Sequence, residues 1–296
     1  MIHVVIVTYN GMQWIDRCLD SLMKSDTEVS VVVVDNASQD GTVQHISEHY
    51  PEVRIIAQGH NAGFARANNI GIKYVLDNGA RFVFLLNQDA WVEENTFSKL
   101  MKVFEEDTSA GIVSPVHFNG SGSALDRMFA SYMPPVFVSD AFVGRVKDTY
   151  DVRFVNAASW LISRACLEKV GGFDTSLFVH YGEDDNFCQR VRYHGFRIVV
   201  NTTCAVFHDR EQRSSSEEEY RHRIFRMPDL PRRVEMADIN KDYDIPALIV
   251  EQRKLWWRKL LTFRIKATEK HKDEIEFLTM IGESRRINIV GGSNWL

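Results

Sequence analysis

Polar residues follow an apolar run in the first third of the chain. Asn87, Gln88 and Asp89 come directly after the run at 82–86, whose residues favour a β-strand. A carboxylate at the end of such a strand is a natural ligand for Mg²⁺ or Mn²⁺, because these hard cations take oxygen ligands and share them with substrate phosphates. An ordinary polar turn is the structural alternative for this segment.

A histidine, His208, ends a later apolar run at 205–207. An imidazole suits Mn²⁺, so His208 could share a cation with Asp89. A surface histidine at the end of a strand is the alternative interpretation.

Consecutive acids, Glu183, Asp184 and Asp185, begin a predicted helix that ends before Gly195. Acids in this position complement the helix dipole, which is the structural alternative. The functional interpretation is that one of them is a general base for an attacking hydroxyl. A carboxylate among other acids can have a raised pKa, which would suit that task.

A turn that contains Gly63 leads into a predicted helix at 65–76. Helix N-termini attract phosphate, and Arg66 could add a positive charge for a diphosphate. The chain has neither a GxGxxG motif nor a phosphate-loop lysine motif. This argues against dinucleotide redox enzymes and P-loop NTPases.

The elements that must position these residues alternate along the first half of the chain. Apolar runs at 4–7, 29–34 and 82–86 fit strands that are buried on both faces of a parallel sheet. Amphipathic helical patterns lie between them, at 14–23, 42–49 and 65–76. The alternation predicts an α/β fold with right-handed crossovers and helices on both faces of the sheet.

Ligands of open α/β sheets bind beyond the carboxyl ends of the strands. Here those positions hold polar turns: Thr8-Tyr9-Asn10 after the first strand, Asp35 to Ser38 after the second, and Asn87 to Asp89 after the third run. We expect the turns to converge on one edge of the sheet, and this convergence predicts a nucleotide site.

The remaining segments carry weaker signals. Residues 118–150 contain a Gly-Ser turn and Pro134-Pro135, which predicts a long, partly mobile insertion. The runs at 198–200 and 205–207 predict two short strands. After about 210, Ser214-Ser215-Ser216 favours a linker or a capped helix start, and the rest is charged and helix-prone.

Residues 253–266, RKLWWRKLLTFRIK, mix basic side chains with Leu, Trp and Phe. One interpretation is an interfacial helix that lies on anionic lipid. The alternative is a helix that packs its apolar side on the rest of the chain or on a second subunit.

Composition bounds the class of protein. The chain has 296 residues, of which 45% are hydrophobic, and a net charge of −5, so no basic field argues for nucleic acid. The cysteines are scattered without a CxxC pair, which predicts neither a zinc site nor a disulfide framework. The N-terminus reads as a strand without a leader, and no apolar stretch is long enough to span a bilayer. We expect a cytoplasmic protein, with the inner face of the membrane as an alternative.

In combination, these segments resemble the inverting family-2 glycosyltransferases with a GT-A fold, especially the rhamnosyltransferase-like group. No single segment is specific to this family, but the order of all the segments is. Together they cover roughly residues 3–210. The matching segments are VIVTYNG at 5–11, VVVVDNASQDGT at 31–42, NAGFARANNIGI at 61–72, LLNQDA at 85–90, VNAASWLISRACLEKVGGFD at 155–174, FVHYGEDDNFCQRVRYHG at 178–195, and the strand that ends in His208.

The resemblance implies a fold and a division of the chain. The fold is a Rossmann-like, mixed, mostly parallel sheet flanked by helices, with a helical C-terminal extension. A catalytic domain would cover 1–210, with a nucleotide half at about 1–115 and an acceptor half at about 116–210. Residues 211–296 would form the mainly helical extension.

The resemblance also implies roles for single residues. Asp35 would contact the base, Asn87 would lie near the ribose, and Asp89 would bind the divalent metal, Mg²⁺ or Mn²⁺, that bridges the diphosphate. His208 would complete the metal shell. The residues implied in nucleotide-sugar binding are Thr8, Tyr9, Asn10, Asp35, Asn61, Arg66, Asn87 and Asp89.

On the acceptor side, Asp184 matches the catalytic base of the family. Many relatives carry another acid two residues later, where this chain has Asn186. Glu183 and Trp160 would lie on the acceptor side. A tryptophan face packs well on sugar C–H surfaces, and a core aromatic is the alternative for Trp160.

The implied reaction is a single displacement that inverts the transferred sugar. The donor would be a UDP- or dTDP-linked sugar, with rhamnose suggested by the subgroup, and the acceptor a saccharide or a lipid-linked saccharide. One alternative is a sugar nucleotidyltransferase, which needs a basic glycine-rich loop after the first strand, whereas Thr8 to Met12 contain no cation. Another is a non-catalytic nucleotide-sugar binding protein, which would lack a base such as Asp184.

Overall fold

The computed structural model describes residues 1–179, 181–210 and 229–295. The predicted linker at Ser214 to Ser216 lies outside these residues.

The first part of the chain forms parallel strands in the order β3-β2-β1-β4, of which β1, β2 and β4 were predicted and β3 was not. Successive residues of β1 face opposite sides, so that Val4 and Ile6 enter one core layer while Val5 enters the other. The elements are β1 (Ile2–Thr8), α1 (Ile15–Met23), β2 (Val29–Asp35), α2 (Thr42–His49), β3 (Arg54–Ala57), α3 (Phe64–Asp77) and β4 (Phe82–Asn87).

The same sheet continues beyond β4 with mixed pairing, in the order β4-β8-β6-β9-β5, and β7 also pairs with β9. β8 runs antiparallel to both neighbours, whereas β6 and β9 are parallel. The predicted α/β fold with a mixed sheet is confirmed. The elements are β5 (Ala90–Val92), α4 (Thr96–Glu106), β6 (Ala110–Asn119), α5 (Arg127–Tyr132), α6 (Pro135–Phe142), β7 (Thr149–Asp151), β8 (Ser159–Ser163), α7 (Arg164–Val170), α8 (Glu183–Tyr193) and β9 (Arg197–His208).

Two local predictions differ from the structure. The runs at 198–200 and 205–207 belong to one strand, β9, because a register shift against β6 accommodates the polar residues between them. The segment at 118–150, predicted as a long, partly mobile insertion, contains the regular elements α5, α6 and β7. Its aromatic residues Phe129 and Phe137 are buried in the core, which the glycines and prolines nearby did not reveal.

Helices follow residue 229, as predicted for the C-terminal part: α9 (Leu230–Ala237), α10 (Ile245–Leu261) and α11 (Ile265–Val290). A small core joins Leu177 and Phe178 to Leu278 and Ile281 of α11. Among the described helices, none combines the length and the apolar character that crossing a bilayer requires.

A buried carboxylate, Asp174, ties α11 to the sheet-bearing part of the chain. It accepts hydrogen bonds from Ser284 Oγ at 2.6 Å and from Asn288 Nδ2 at 3.1 Å. Although burial alone would raise the pKa of Asp174, these donors and Ser176 lower it below its ordinary value. The charged form is therefore the one that holds α11.

We predict that Asp174→Ala lowers the free energy of unfolding by about 3 kcal/mol, because it leaves buried donors of α11 without their acceptor. Chemical denaturation measures the change, and limited proteolysis should cut near α11 first. Glu168→Ala is the control, since it removes only an exposed pair with Arg164. Equal losses in the two variants would contradict the prediction.

Candidate active site

The ends of β1 and β2 meet through a buried hydrogen bond. Thr8 lies opposite Asp35 in the parallel register, and Thr8 Oγ1 donates to Asp35 Oδ1 at 2.8 Å. Asp35 Oδ2 also accepts from the Ser38 amide at 2.9 Å. Both residues are almost fully buried, so the Asp35 carboxylate is held at the carboxyl edge of the sheet by its own loop.

Side chains also connect the loops that follow β1, β2 and β4. Gln88 Oε1 accepts from the Tyr9 amide at 2.9 Å, and Gln88 Nε2 donates to the Tyr9 carbonyl at 3.1 Å. Asn10 Oδ1 accepts from the Gln39 amide at 2.8 Å. A side chain on Gly11 would collide with Gln88, since its Cβ would lie 2.3 Å from Oε1. The three predicted polar turns therefore converge.

The turn before α3 joins the same edge. Asn36 Oδ1 accepts from the Ala62 amide at 3.2 Å, and Asn36 Nδ2 donates to the Gly63 carbonyl at 3.3 Å. Asn61 and Arg66 are exposed beside this contact, Arg66 in the first turn of α3. A cation at a helix N-terminus suits an anion such as a diphosphate.

The candidate metal ligands lie side by side. β5 pairs antiparallel with β9, and the distance from Asp89 Oδ1 to His208 Nε2 is 3.3 Å. Both side chains are about 1% exposed. Asn87 Nδ2 lies 3.3 Å from the same imidazole nitrogen.

Sequence reasoning missed two charged residues behind His208. Arg210 Nε lies 3.2 Å from His208 Nδ1 and 2.9 Å from Asp126 Oδ2. Asp126 is 3% exposed and also caps α5 through the amides of Met128 and Phe129. An arginine two residues after a strand-end histidine was a readable signal, whereas the cap at Asp126 lay inside the segment interpreted as an insertion.

The predicted acidic cluster begins α8 after Gly182, whose φ of 86° is in the left-handed region. Burial, with the neighbouring Asp184 charge, raises the pKa of Glu183 to about 8. Burial raises the pKa of Asp184, and burial with the Asp184 charge raises the pKa of Asp185 to about 7. The pKa values of the cluster are therefore nearer neutral pH than those of ordinary carboxyls, which makes Asp184 a stronger base once it has lost its proton.

The acidic cluster and the metal candidates share one neighbourhood. The positive charge of Arg210 acts to lower the pKa of Asp184, against the larger effect of burial. Burial raises the pKa of Tyr132, and Asp184 and Asp126 contribute to the same shift. Arg210 is therefore close enough to Asp184 to act on its charge, and it contacts His208, which lies beside Asp89.

These pKa shifts predict how activity depends on pH. The rate constant kcat/KM should rise with pH over a range above the ordinary carboxyl pKa, because burial raises the pKa of Asp184, the proposed base. Glu183→Gln removes a like charge and should move the midpoint of the kcat/KM profile to lower pH. A profile that is flat over this range, or a midpoint unmoved in Glu183→Gln, would contradict the prediction.

The same pKa shifts determine whether the free energy of unfolding rises or falls with pH. A carboxyl whose pKa is raised on folding binds its proton more tightly in the folded state. The free energy of unfolding should therefore fall as pH rises from the ordinary carboxyl range through the raised values.

Trp160 does not present a face to a ligand. It is fully buried on β8 and packs against Phe173 and Phe187, with ring centroids 6.1 and 5.6 Å away. This position favours the alternative that Trp160 is a core aromatic, so it is not part of the proposed site. β8 is covered on both faces, so an aromatic residue there contributes to packing.

The donor set at Asp89 and His208 is compatible with a divalent cation. Within the described residues, no group of three or more His, Cys, Asp and Glu side chains is arranged to hold a metal. Mg²⁺ and Mn²⁺ need no such group, since they complete their shells with water and substrate phosphate. One carboxylate and one imidazole at this distance therefore fit a cation that is shared with a diphosphate.

Comparison with known proteins places this geometry among sugar-transferring enzymes. The model of the family described as "Glycosyl transferase family 2" matches residues 3–171. The chain is 27% identical to the dTDP-rhamnosyl transferase RfbF of Shigella flexneri, over 70% of this chain and 68% of that one. It is 26% identical to an N-acetylglucosaminyl-diphospho-decaprenol L-rhamnosyltransferase of Mycobacterium tuberculosis, over 70% and 76% of the two chains.

Solved structures show the same fold. Residues 1–349 of S. aureus TarS in complex with UDP superpose with a TM-score of 0.58 at 19% identity, over 82% of this chain and 67% of that one. The mannosyltransferase PcManGT from Pyrobaculum calidifontis, in complex with GDP-Man and Mn²⁺, gives a TM-score of 0.55 at 18% identity, over 97% and 86%.

Proposed function

The chain belongs to glycosyl transferase family 2, and from this premise we propose that it moves rhamnose from a dTDP- or UDP-linked donor to an acceptor hydroxyl with inversion, using a divalent metal. The names of two relatives, both rhamnosyltransferases, support the choice of sugar. A saccharide or a lipid-linked saccharide is the proposed acceptor. The observation that carries the mechanism is the buried pair of Asp89 and His208 at the sheet edge, with Arg210 in contact with His208 and near enough to Asp184 to act on its charge.

In the proposed reaction, Asp35 and Thr8 form the floor of the nucleoside site. Tyr9, Asn10 and Asn61 line its rim. Arg66, in the first turn of α3, binds a phosphate oxygen. Asn87 contacts the ribose.

Asp89 and His208 would hold Mg²⁺ or Mn²⁺, which when bound offsets the charge of the departing diphosphate. Arg210 Nε donates to His208 Nδ1, so the neutral imidazole carries its hydrogen on Nε2, toward Asp89. As a metal ligand through Nε2, His208 would carry the hydrogen on Nδ1 instead, with Asp126 Oδ2, 3.8 Å away, as the nearby carboxylate. A histidine held in this way keeps one ring nitrogen directed at Asp89.

Asp184 accepts the proton of the acceptor hydroxyl as its oxygen attacks the anomeric carbon. The bond from that carbon to the diphosphate oxygen breaks, and the nucleoside diphosphate leaves with the electron pair. Attack from the face opposite the leaving group inverts the configuration of the sugar. Glu183 lies beside the base on the acceptor side, while Asn186 Oδ1 accepts from Arg190 Nε within α8.

Assays with the full chain test this proposal. Release of nucleoside diphosphate is measured from a panel of UDP- and dTDP-linked sugars, with Mn²⁺, with Mg²⁺ and with EDTA. We expect dTDP-rhamnose to react fastest and EDTA to abolish the reaction. Full activity in EDTA would contradict the proposed dependence on a metal. A faster reaction with another sugar would contradict rhamnose as the transferred sugar.

The alternatives are less well supported. A sugar nucleotidyltransferase would need a cation in the loop after β1, where residues 8–12 have none. A binding protein without activity would not need carboxyls of raised pKa beside the donor site. The domain boundary near 210 and a location in the cytoplasm stay predictions.

A further inference from the structure

The helices α10 and α11 form a hairpin that is buried only at its base. Ile245, Leu278 and Ile281 lie in the small core that joins the hairpin to the rest of the chain. Among the described side chains from 246 to 277, none is buried. Gln252 Oε1 and His271 Nδ1, 2.8 Å apart, link the two helices partway along. The far end of the hairpin, residues 253–266, is the hairpin tip.

The hairpin tip exposes large apolar side chains. Trp257 is 56% exposed, Leu261 76% and Phe263 91%. Phe263 has a φ of 52°, a conformation that bulky residues rarely adopt and that turns usually assign to glycine or asparagine. An exposed aromatic in that position gains little from packing against the described residues, as is typical of a side chain on a binding surface.

The charge of the hairpin tip is entirely positive. Six basic residues and no acid occur in it, in a chain whose net charge is −5. None of the six forms an ion pair with another described residue. They are Arg253, Lys254, Arg258, Lys259, Arg264 and Lys266.

This combination selects one kind of partner. Aromatic and leucine side chains that are interleaved with cations match the boundary of an anionic bilayer, where apolar groups enter the acyl region and cations meet phosphate. A second copy of the chain fits less well. A twofold contact between tips would bring cations against cations.

We propose that the hairpin tip binds the surface of an anionic lipid bilayer, with Trp257, Leu261 and Phe263 at the headgroup–acyl boundary. The inference goes beyond the proposed sugar transfer and uses none of the residues assigned to it. Its test can therefore fail while the proposed function stands.

Vesicle co-sedimentation tests the charges. The full chain should bind vesicles of phosphatidylglycerol and phosphatidylcholine, and should not bind pure phosphatidylcholine. Each lost cation should weaken binding about fivefold, so Lys254→Gln/Arg258→Gln/Lys259→Gln should bind about a hundredfold more weakly. Binding of similar strength to both kinds of vesicle would overturn the proposal.

A second pair of variants tests the apolar residues. Leu261→Ser/Phe263→Ser should weaken binding at least about tenfold. Phe142→Ser is the matched control, because Phe142 of α6 is 92% exposed but lies outside the hairpin tip. Circular dichroism and donor hydrolysis should be unchanged in both proteins. An equal loss of binding in Phe142→Ser would overturn the proposal.

Tryptophan fluorescence separates lipid from a second copy. Brominated phosphatidylglycerol should quench the emission of the wild type, and the quenched fraction should fall in Trp257→Phe. If sedimentation equilibrium instead shows a dimer that Leu261→Ser/Phe263→Ser dissociates, without quenching by lipid, the partner is a second copy and the proposal is wrong.

Discussion

Asp89→Asn is expected to lower the rate of sugar transfer about a thousandfold or more. The substitution keeps the shape of a side chain that is 1% exposed but removes the negative charge beside His208. A carboxylate that anchors a cation acts mainly where charge develops on the departing diphosphate, and each tenfold loss in rate corresponds to about 1.4 kcal/mol. Initial rates with dTDP-rhamnose over a range of Mn²⁺ concentrations measure the loss.

The control for this variant is Asp209→Asn. Asp209 is also buried and accepts a hydrogen bond from Trp14 at 3.3 Å, but it has no proposed role in binding the cation. Its rate should stay within about tenfold of the wild type. Calorimetry of Mn²⁺ with nucleoside diphosphate gives a second readout, since only Asp89→Asn should weaken the ternary complex. If the rate of Asp89→Asn still depended on Mn²⁺ as in the wild type, Asp89 would not be a ligand of the cation.

The second large effect is expected at Asp184. Asp184→Asn should lower kcat by about 10²–10⁴-fold, the usual range for a lost general base. The affinity for nucleoside diphosphate should change little, because the base acts on the acceptor. Pre-steady-state product formation, with calorimetric titration of the nucleotide, separates these two quantities.

The acids on either side of Asp184 provide matched controls. Glu183→Gln and Asp185→Asn each remove one charge of the cluster but leave the proposed base, so their maximal rates should fall far less. Their pH profiles should move to lower pH, because a neighbouring negative charge helps to raise a carboxyl pKa. If Asp185→Asn were the inactive variant, the assignment of the base would move by one residue.

Much of the donor site could be predicted from local sequence. Each polar group of the donor site lies at the end of its strand or within a few residues of it. Thr8 to Asn10 belong to β1, Asp35 to β2 and Asp89 to β4 in this way. The apolar runs had to be buried on both faces, and the polar residue at each strand end then had to emerge at the same edge. The order of the segments was enough to indicate the family.

Contacts between distant segments could not be predicted in this way. Arg210 lies behind His208, and Asp126 holds Arg210, through a segment whose glycines and prolines suggested irregular structure. Trp160 was placed on the acceptor side by resemblance, whereas antiparallel pairing of β8 with β4 puts its ring inside the core. Neither outcome is encoded in the residues that immediately surround these side chains.

The sequence by itself determined the strands, the polar strand ends and the acids that begin α8, because backbone periodicity and burial act over a few residues. Only the tertiary structure decided which groups meet: Asp89 with His208, Arg210 with Asp126, and Asp174 with α11. The first pair follows from the antiparallel pairing of β5 with β9, and the last from the packing of α11 on the segment near residue 174. These are long-range choices set by packing of the whole chain, and local preferences do not specify them.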